Sequence, residues 1–274
     1  MEGRTHTVDA YIRFGMFSVA GYLKSIDARL IALLLAFQRE NGFGGNLCEI
    51  GVHHGRLFFI LALARQAEER ALAVDLFEDD AINAPSRWHR GRDRALLTNA
   101  RRLNIALCDD ELLKTSSLDI SATDILERVG GPIRFFSVDG GHGYEHVAND
   151  LQLAKSTLSD NGIIAVDDFF NVSWPEVSLA VCDFIRATDE VVPFLLSPWK
   201  LYLAPPHIAF GYKEAVRRAN GEAKGSIVRF LNQDVYLAPK NIGRVVLDYL
   251  SDTACQSAVR TLSRAPKVST VGRR

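Results

Sequence analysis

Asn46-Leu-Cys-Glu-Ile-Gly-Val-His-His-Gly55 is the stretch that decides the fold. A short apolar run, Asn46 to Ile50, ends in a turn carrying two glycines, Gly51 and Gly55. Behind it, Leu57, Phe58, Ile60, Leu61 and Leu63 cover most faces of a segment from Arg56 to Glu69, which predicts a buried helix. Ala71 to Val74 then predicts a second short strand, ending at Asp75. Strand, turn, helix, strand is the βαβ unit of a parallel sheet.

The same alternation extends outward. On the N-terminal side, Ile26, Leu30, Leu33, Leu34 and Phe37 recur at helical spacing from Ser25 to Glu40, and Asn41-Gly42 supplies a left-handed cap. On the other side come a basic helix from Trp88 to Leu103, a weak strand from Lys114 to Leu118, and a short helix from Ser121 to Val129 with Ser121 and Asp124 as a capping pair. A strong strand, Ile133 to Val138, ends at Asp139-Gly140-Gly141. An amphipathic helix, Glu145 to Leu158, is broken by Asp160-Asn161-Gly162 before a strand, Ile163 to Val166, that ends at Asp167-Asp168. Pro175 opens a further helix to about Ala187. After it, Val191–Leu196, Trp199–Leu203 and Ile208–Tyr212 read as strands without intervening helices, which predicts an antiparallel edge. The last ten residues, Ala265 to Arg274, read as a frayed tail.

Composition bounds the function. The chain has 274 residues, with 32 Lys+Arg against 33 Asp+Glu, so a general polyanion binder is not expected and no nucleic-acid partner is assigned. Its longest apolar runs, Leu30–Phe37 and Leu57–Ala64, fall far short of the ~20 residues of a spanning helix, so no membrane role is assigned. No signal-peptide pattern is visible at the start. Cys48, Cys108, Cys182 and Cys255 are widely separated, which argues against a zinc site or a disulfide scaffold and fits a reducing, cytoplasmic setting.

In an open parallel sheet, ligands bind beyond the carboxyl ends of the strands. Here those positions hold Glu49 with Gly51 and Gly55, then Asp75, Ser116 and Ser117, Asp139 to His142, and Asp167 with Asp168. Carboxylates gathered in one place repel one another, so a purely structural protein has no use for them there. The glycine turn departs from the dinucleotide fingerprint, because His53 stands where the central glycine belongs. Glu49 suits a ligand with a positive end, such as an amino acid's ammonium group. Asp75 can accept hydrogen bonds from both hydroxyls of a ribose, or it can serve as a capping acid.

The segment Asp139-Gly-Gly-His142-Gly-Tyr144-Glu145, followed by Asp150-Leu151 and by Gly162-Ile-Ile-Ala-Val-Asp167-Asp168-Phe169, resembles the pattern of a class I S-adenosylmethionine-dependent methyltransferase family that includes sugar O-methyltransferases of the macrocin type. The resemblance runs from roughly Gly21 to Pro205 and includes Trp174-Pro175-Glu176-Val177. Asn161 replaces a glycine of the pattern.

The resemblance implies an α/β Rossmann-like fold with a mostly parallel seven-stranded sheet. Residues 1–205 would form the methyltransferase domain, and residues 206–274 an extension packed on or near it. It implies S-adenosylmethionine as cofactor, bound by Glu49, Gly51, Gly55, Asp75, Ser117 and Asp139, and a small hydroxylated acceptor, a sugar or glycosylated metabolite. A homodimer is implied by analogy alone. Some relatives bind Mg²⁺ through positions that map to Asp139, Asp167 and Asp168. Either such an ion is present, or these acids serve the turns and the cofactor. The base of the macrocin-type enzymes maps to Gly141, so either His142 takes that role beside Asp139, histidine being the side chain suited to proton transfer near neutrality, or a metal alone activates the acceptor. Acceptor choice is expected to lie in the Phe77–Arg92 loop, the Phe170–Pro175 loop and the extension. The alternatives are a nucleotide-dependent oxidoreductase and a non-catalytic cofactor- or glycan-binding protein.

Overall fold

The Asn46–Ile50 run is buried along its whole length. A strand covered on both faces needs no polar side, which is why it shows no alternation. The computed structural model describes residues 7–77, 92–220 and 225–239. Residues 78–91 of the expected specificity loop, with the acidic Glu78-Asp79-Asp80, and the tail at 265–274 lie outside them.

The described strands are β1 (Asn46–Ile50), β2 (Ala71–Asp75), β3 (Leu112–Lys114), β4 (Ile133–Val138), β5 (Leu158–Asp167), β6 (Val192–Leu196), β7 (Lys200–Ala204), β8 (Ser226–Phe230) and β9 (Gln233–Leu237). They form one sheet in the order β3-β2-β1-β4-β5-β7-β6-β9-β8. Strands β1 to β5 are parallel, and β7 runs antiparallel between β5 and β6. The sheet thus has nine strands rather than the expected seven. The added pair is a hairpin, β8–β9, whose two-residue turn places Leu231 (φ 44°) and Asn232 (φ 64°) in left-handed backbone. Such turns usually announce themselves as Asn-Gly or Asp-Gly, and Leu-Asn does not.

The described helices are α1 (Val8–Arg13), α2 (Ser25–Glu40), α3 (Phe58–Ala64), α4 (Arg92–Arg102), α5 (Ala122–Val129), α6 (Tyr144–Thr157), α7 (Pro175–Ala187) and α8 (Pro206–Ala219). Apolar side chains of α1 to α4 and α8 share one core with Leu47, Ala73, Phe135 and Tyr202. Those of α5, α6 and α7 share the other with Cys48, Val74, Phe136 and Leu201. The result is a three-layer sandwich around the sheet.

Four elements differ from expectation. β5 begins at Leu158, so Asp160-Asn161-Gly162 lies inside the strand rather than breaking the chain before it. Ile208–Tyr212 lies inside α8 rather than forming a strand: Pro206 opens the helix, and Ala209, Tyr212, Ala215, Val216 and Ala219 form its buried stripe. The helix expected to reach Glu69 stops at Ala64, where Arg134 Nη2 donates to the Ala64 carbonyl at 3.0 Å. The expected strand at Lys114–Leu118 is displaced to Leu112–Lys114, and Ser117–Asp119 forms a single helical turn. The capping pair at Ser121 and Asp124 forms as a reciprocal capping box.

Candidate active site

The carboxyl ends of β1, β4 and β5 lie side by side. Gly51 has φ +84°, and a side chain there would start 1.8 Å from the Asp139 carbonyl oxygen. Only glycine lets the β1 turn press this closely against the end of β4. The neighbouring backbone is tied as well, with Asp139 N donating to the Ile50 carbonyl at 2.9 Å and Gly51 N to that of Val74 at 2.9 Å.

Asp75 closes the turn from the β2 side. Its Oδ2 accepts from His53 N and its Oδ1 from Phe77 N, both at 2.8 Å. Each oxygen keeps a second lone pair for a hydroxyl. Glu49, only 2% exposed, has an Oε2 with no hydrogen-bond partner among the described residues. Burial drives its carboxyl well above the ordinary range, with Lys200 pulling the other way. Ser117 is buried on the neighbouring turn, where its carbonyl accepts from Asn149 Nδ2 at 2.8 Å.

His142 stands beyond β4. Its Nε2 lies 2.9 Å from Asp168 Oδ2, and its ring stacks on Trp174 with centroids 4.3 Å apart and planes 14° from parallel. Asn171 Nδ2 donates to Asp168 Oδ1 at 2.7 Å. Burial alone would raise the Asp168 carboxyl, but the bonds from His142 and Asn171 outweigh it and hold the group below its ordinary value. Asp168 itself has φ 55°, a left-handed conformation that costs a non-glycine residue about 1–3 kcal/mol and is characteristic of functional sites. The turns after β4 and β5 also interlock, since Glu176 of α7 accepts from Tyr144 N at the start of α6, at 2.9 Å.

Asp167 lies beside Asp139 and meets a buried ammonium as well. Its Oδ2 lies 2.9 Å from Nζ of Lys200, a side chain 1% exposed at the start of β7. Burial alone would depress the Lys200 ammonium, yet Asp167, Asp139 and Asp27 raise it above its usual value. Asp27 of α2 is fully buried and accepts from Tyr202 Oη at 3.1 Å. Asp139 is pushed well above the usual carboxylate range, first by burial and then by the Asp167 charge. The geometry therefore departs from the expected metal triad of Asp139, Asp167 and Asp168. Among the described residues, the ligand-type atoms that all come within 4.8 Å of one another belong to Asp139, His142 and Asp168, while Asp167 Oδ2 pairs with Lys200.

Sequence reasoning missed Lys200, Asp27 and the Trp174 stack. A weak signal existed for two of them: Lys200 precedes the wholly apolar Leu201-Tyr202-Leu203, and Asp27 sits between Ile26 and Ala28 in an apolar helix.

Comparison with known proteins agrees with this architecture. A relative, the uncharacterized protein R132 of Acanthamoeba polyphaga mimivirus, is 30% identical over 92 residues, which are 33% of this chain and 42% of that one. The match thus spans less than half of that relative's length. The solved structure of the O-methyltransferase NovP superimposes with a TM-score of 0.54 at 16% identity, covering 68% of this chain and 83% of its own. That of CalS11, a TDP-rhamnose 3'-O-methyltransferase, gives 0.50 at 17% identity, covering 74% and 88%. At such identities the two show a shared fold. Among the described residues, no helix is long and apolar enough to cross a membrane. Residues 48–169, from β1 to the turn after β5, match the family described as a methyltransferase domain, and the strand order β3-β2-β1-β4-β5-β7-β6 agrees with a Rossmann-like methyltransferase fold.

Proposed function

We propose that the protein is an S-adenosylmethionine-dependent O-methyltransferase that acts on a hydroxyl of a small molecule, a sugar or glycosylated metabolite. The observation that carries the reading is the His142–Asp168 pair, set beside the glycine turn that meets β4. The buried, unpartnered Oε2 of Glu49 and the remaining acceptor capacity of Asp75 fit the cofactor's ammonium group and ribose hydroxyls. The acidic strand ends also suit a doubly cationic ligand.

When bound, S-adenosylmethionine supplies a methyl group activated by a positive sulfur. The protein's part is to position the acceptor oxygen and remove its proton. Asp168 accepts from His142 Nε2–H, which leaves Nδ1 with the lone pair. That nitrogen takes the hydroxyl proton while the oxygen forms its new bond to carbon, and the ionised Asp168 stabilises the resulting imidazolium. Trp174 keeps the imidazole plane fixed. Phe170, Val172 and Trp174, all exposed on the turn after β5, offer the acceptor an apolar face. The expected Mg²⁺ triad does not fit, because Asp167 already holds a buried ammonium, and no step is assigned to a metal.

Calorimetric titration with S-adenosylhomocysteine, run beside Asp75→Ala, tests the reading. The parent is expected to bind with micromolar affinity, and the variant to lose about 1–3 kcal/mol, as when a buried group is left without its hydrogen bond. A well-folded parent that does not bind would overturn it.

A further inference from the structure

The resemblance points to a divalent cation at these strand ends, and one side chain disagrees. Lys200 lies opposite Asp167 in the antiparallel register of β5 and β7. It is 1% exposed, and its Nζ stands 2.9 Å from Asp167 Oδ2. Its carboxylate surroundings come from four separate elements: Asp167 on β5, Asp139 after β4, Asp27 on α2 and Glu49 on β1. A cation bridging Asp139 and Asp167 would be pressed against a fixed positive charge in a low-dielectric setting, where like charges repel strongly. In the remaining set, Asp139, His142 and Asp168, two of the three already bond to each other, His142 Nε2 to Asp168 Oδ2.

We propose that Lys200 is a built-in cation that takes the place of a divalent ion, so that methyl transfer here needs no metal. The inference rests on the methyltransferase reading above. Lys200 is a positioning residue. Too buried to meet the acceptor, it holds Asp167 and Asp139 while the His142–Asp168 pair handles the proton. A lysine buried among carboxylates does what a metal does structurally, but it cannot coordinate the acceptor oxygen. The whole burden of deprotonation therefore falls on His142.

The test is a Mn²⁺ titration followed by electron paramagnetic resonance, on the parent, on Lys200→Ala and on Lys200→Met, with transfer rates measured with and without a strong chelator. The parent is expected to bind no stoichiometric Mn²⁺ and to keep its rate under chelation. A folded Lys200 variant is expected to gain a Mn²⁺ site and to lose about 10–100-fold in rate in the chelator, recovered by added Mg²⁺. Lys200→Met keeps the apolar stem if the alanine variant fails to fold, and the parent titration decides the matter without either. Stoichiometric Mn²⁺ binding by the parent, lost in Asp167→Asn, overturns the proposal. So does a folded Lys200 variant that neither binds Mn²⁺ nor slows. A parent that binds S-adenosylhomocysteine and Mn²⁺ together breaks this inference alone, whereas a metal-free parent that binds no S-adenosylhomocysteine breaks the methyltransferase reading.

Discussion

Two buried cations sit at opposite ends of the same sheet, and they are treated differently. At the amino end of β4, Arg134 is fully buried and every guanidinium nitrogen has a partner: Nε and Nη2 reach the two oxygens of Glu69 at 2.8 and 2.7 Å, Nη1 reaches Gln38 Oε1 at 2.8 Å, and Nη2 also takes the Ala64 carbonyl. At the carboxyl end, Lys200 faces several carboxylates with a single charge, and Glu49 Oε2 is left without a partner. A planar fork matched to one carboxylate closes the first cluster, whereas a point charge shared among several leaves the second open. Closed networks hold structure, and acceptor capacity left over in a buried place is where a ligand belongs.

The comparison is broken most directly at His142. His142→Ala should cut turnover by about 10²–10⁴-fold while leaving the affinity for S-adenosylhomocysteine unchanged, as measured by steady-state rates and calorimetry. Equal turnover would remove the open end from the chemistry. Next in size, Arg134→Met should cost about 3–5 kcal/mol in urea unfolding, because Glu69 is left as an unpaired buried charge. The folded variant should bind S-adenosylhomocysteine like the parent, and a selective loss of binding would show that the closed end also serves the ligand.

Asp150 gives the smallest effect and sharpens the contrast. Burial pushes its carboxyl up to about 6, against hydrogen bonds from Ser117 and Asn149. With the folded value above the unfolded one, the native state holds the proton more tightly. Stability contributed by this group is therefore fully present near pH 4 and is lost as pH rises through about 6. Asp150→Asn should remove that decline and gain about 1–2 kcal/mol at pH 7, read from unfolding midpoints across pH 4–8. An unchanged pH profile would show that Asp150 is already satisfied.

The parts of the fold visible in the sequence are those governed by local pattern. The β1 turn, Asp75 at the end of β2, and Asp139 and His142 after β4 are all placed by strand ends that short apolar runs announce. The edge of the sheet was harder to read. A stretch from Ile208 to Tyr212 is equally apolar as strand or helix, and Pro206 with the spacing out to Ala219 settles it as helix. Leu231-Asn232 gives no glycine to mark a hairpin. The partner of Asp167 was out of reach because β7 finds β5 across 33 residues of sequence, and no local rule pairs Asp167 with Lys200.

That pairing also sets an order of assembly. Asp27, Glu49, Asp139, Asp167 and Asp168 all leave the ribosome before Lys200, which arrives on a strand that must slide antiparallel between β5 and β6. Until it does, the growing chain carries the acids without the ammonium that balances them. The strand that bridges the parallel half of the sheet to its edge is thus also the one that brings the balancing charge to five acids gathered from distant parts of the chain.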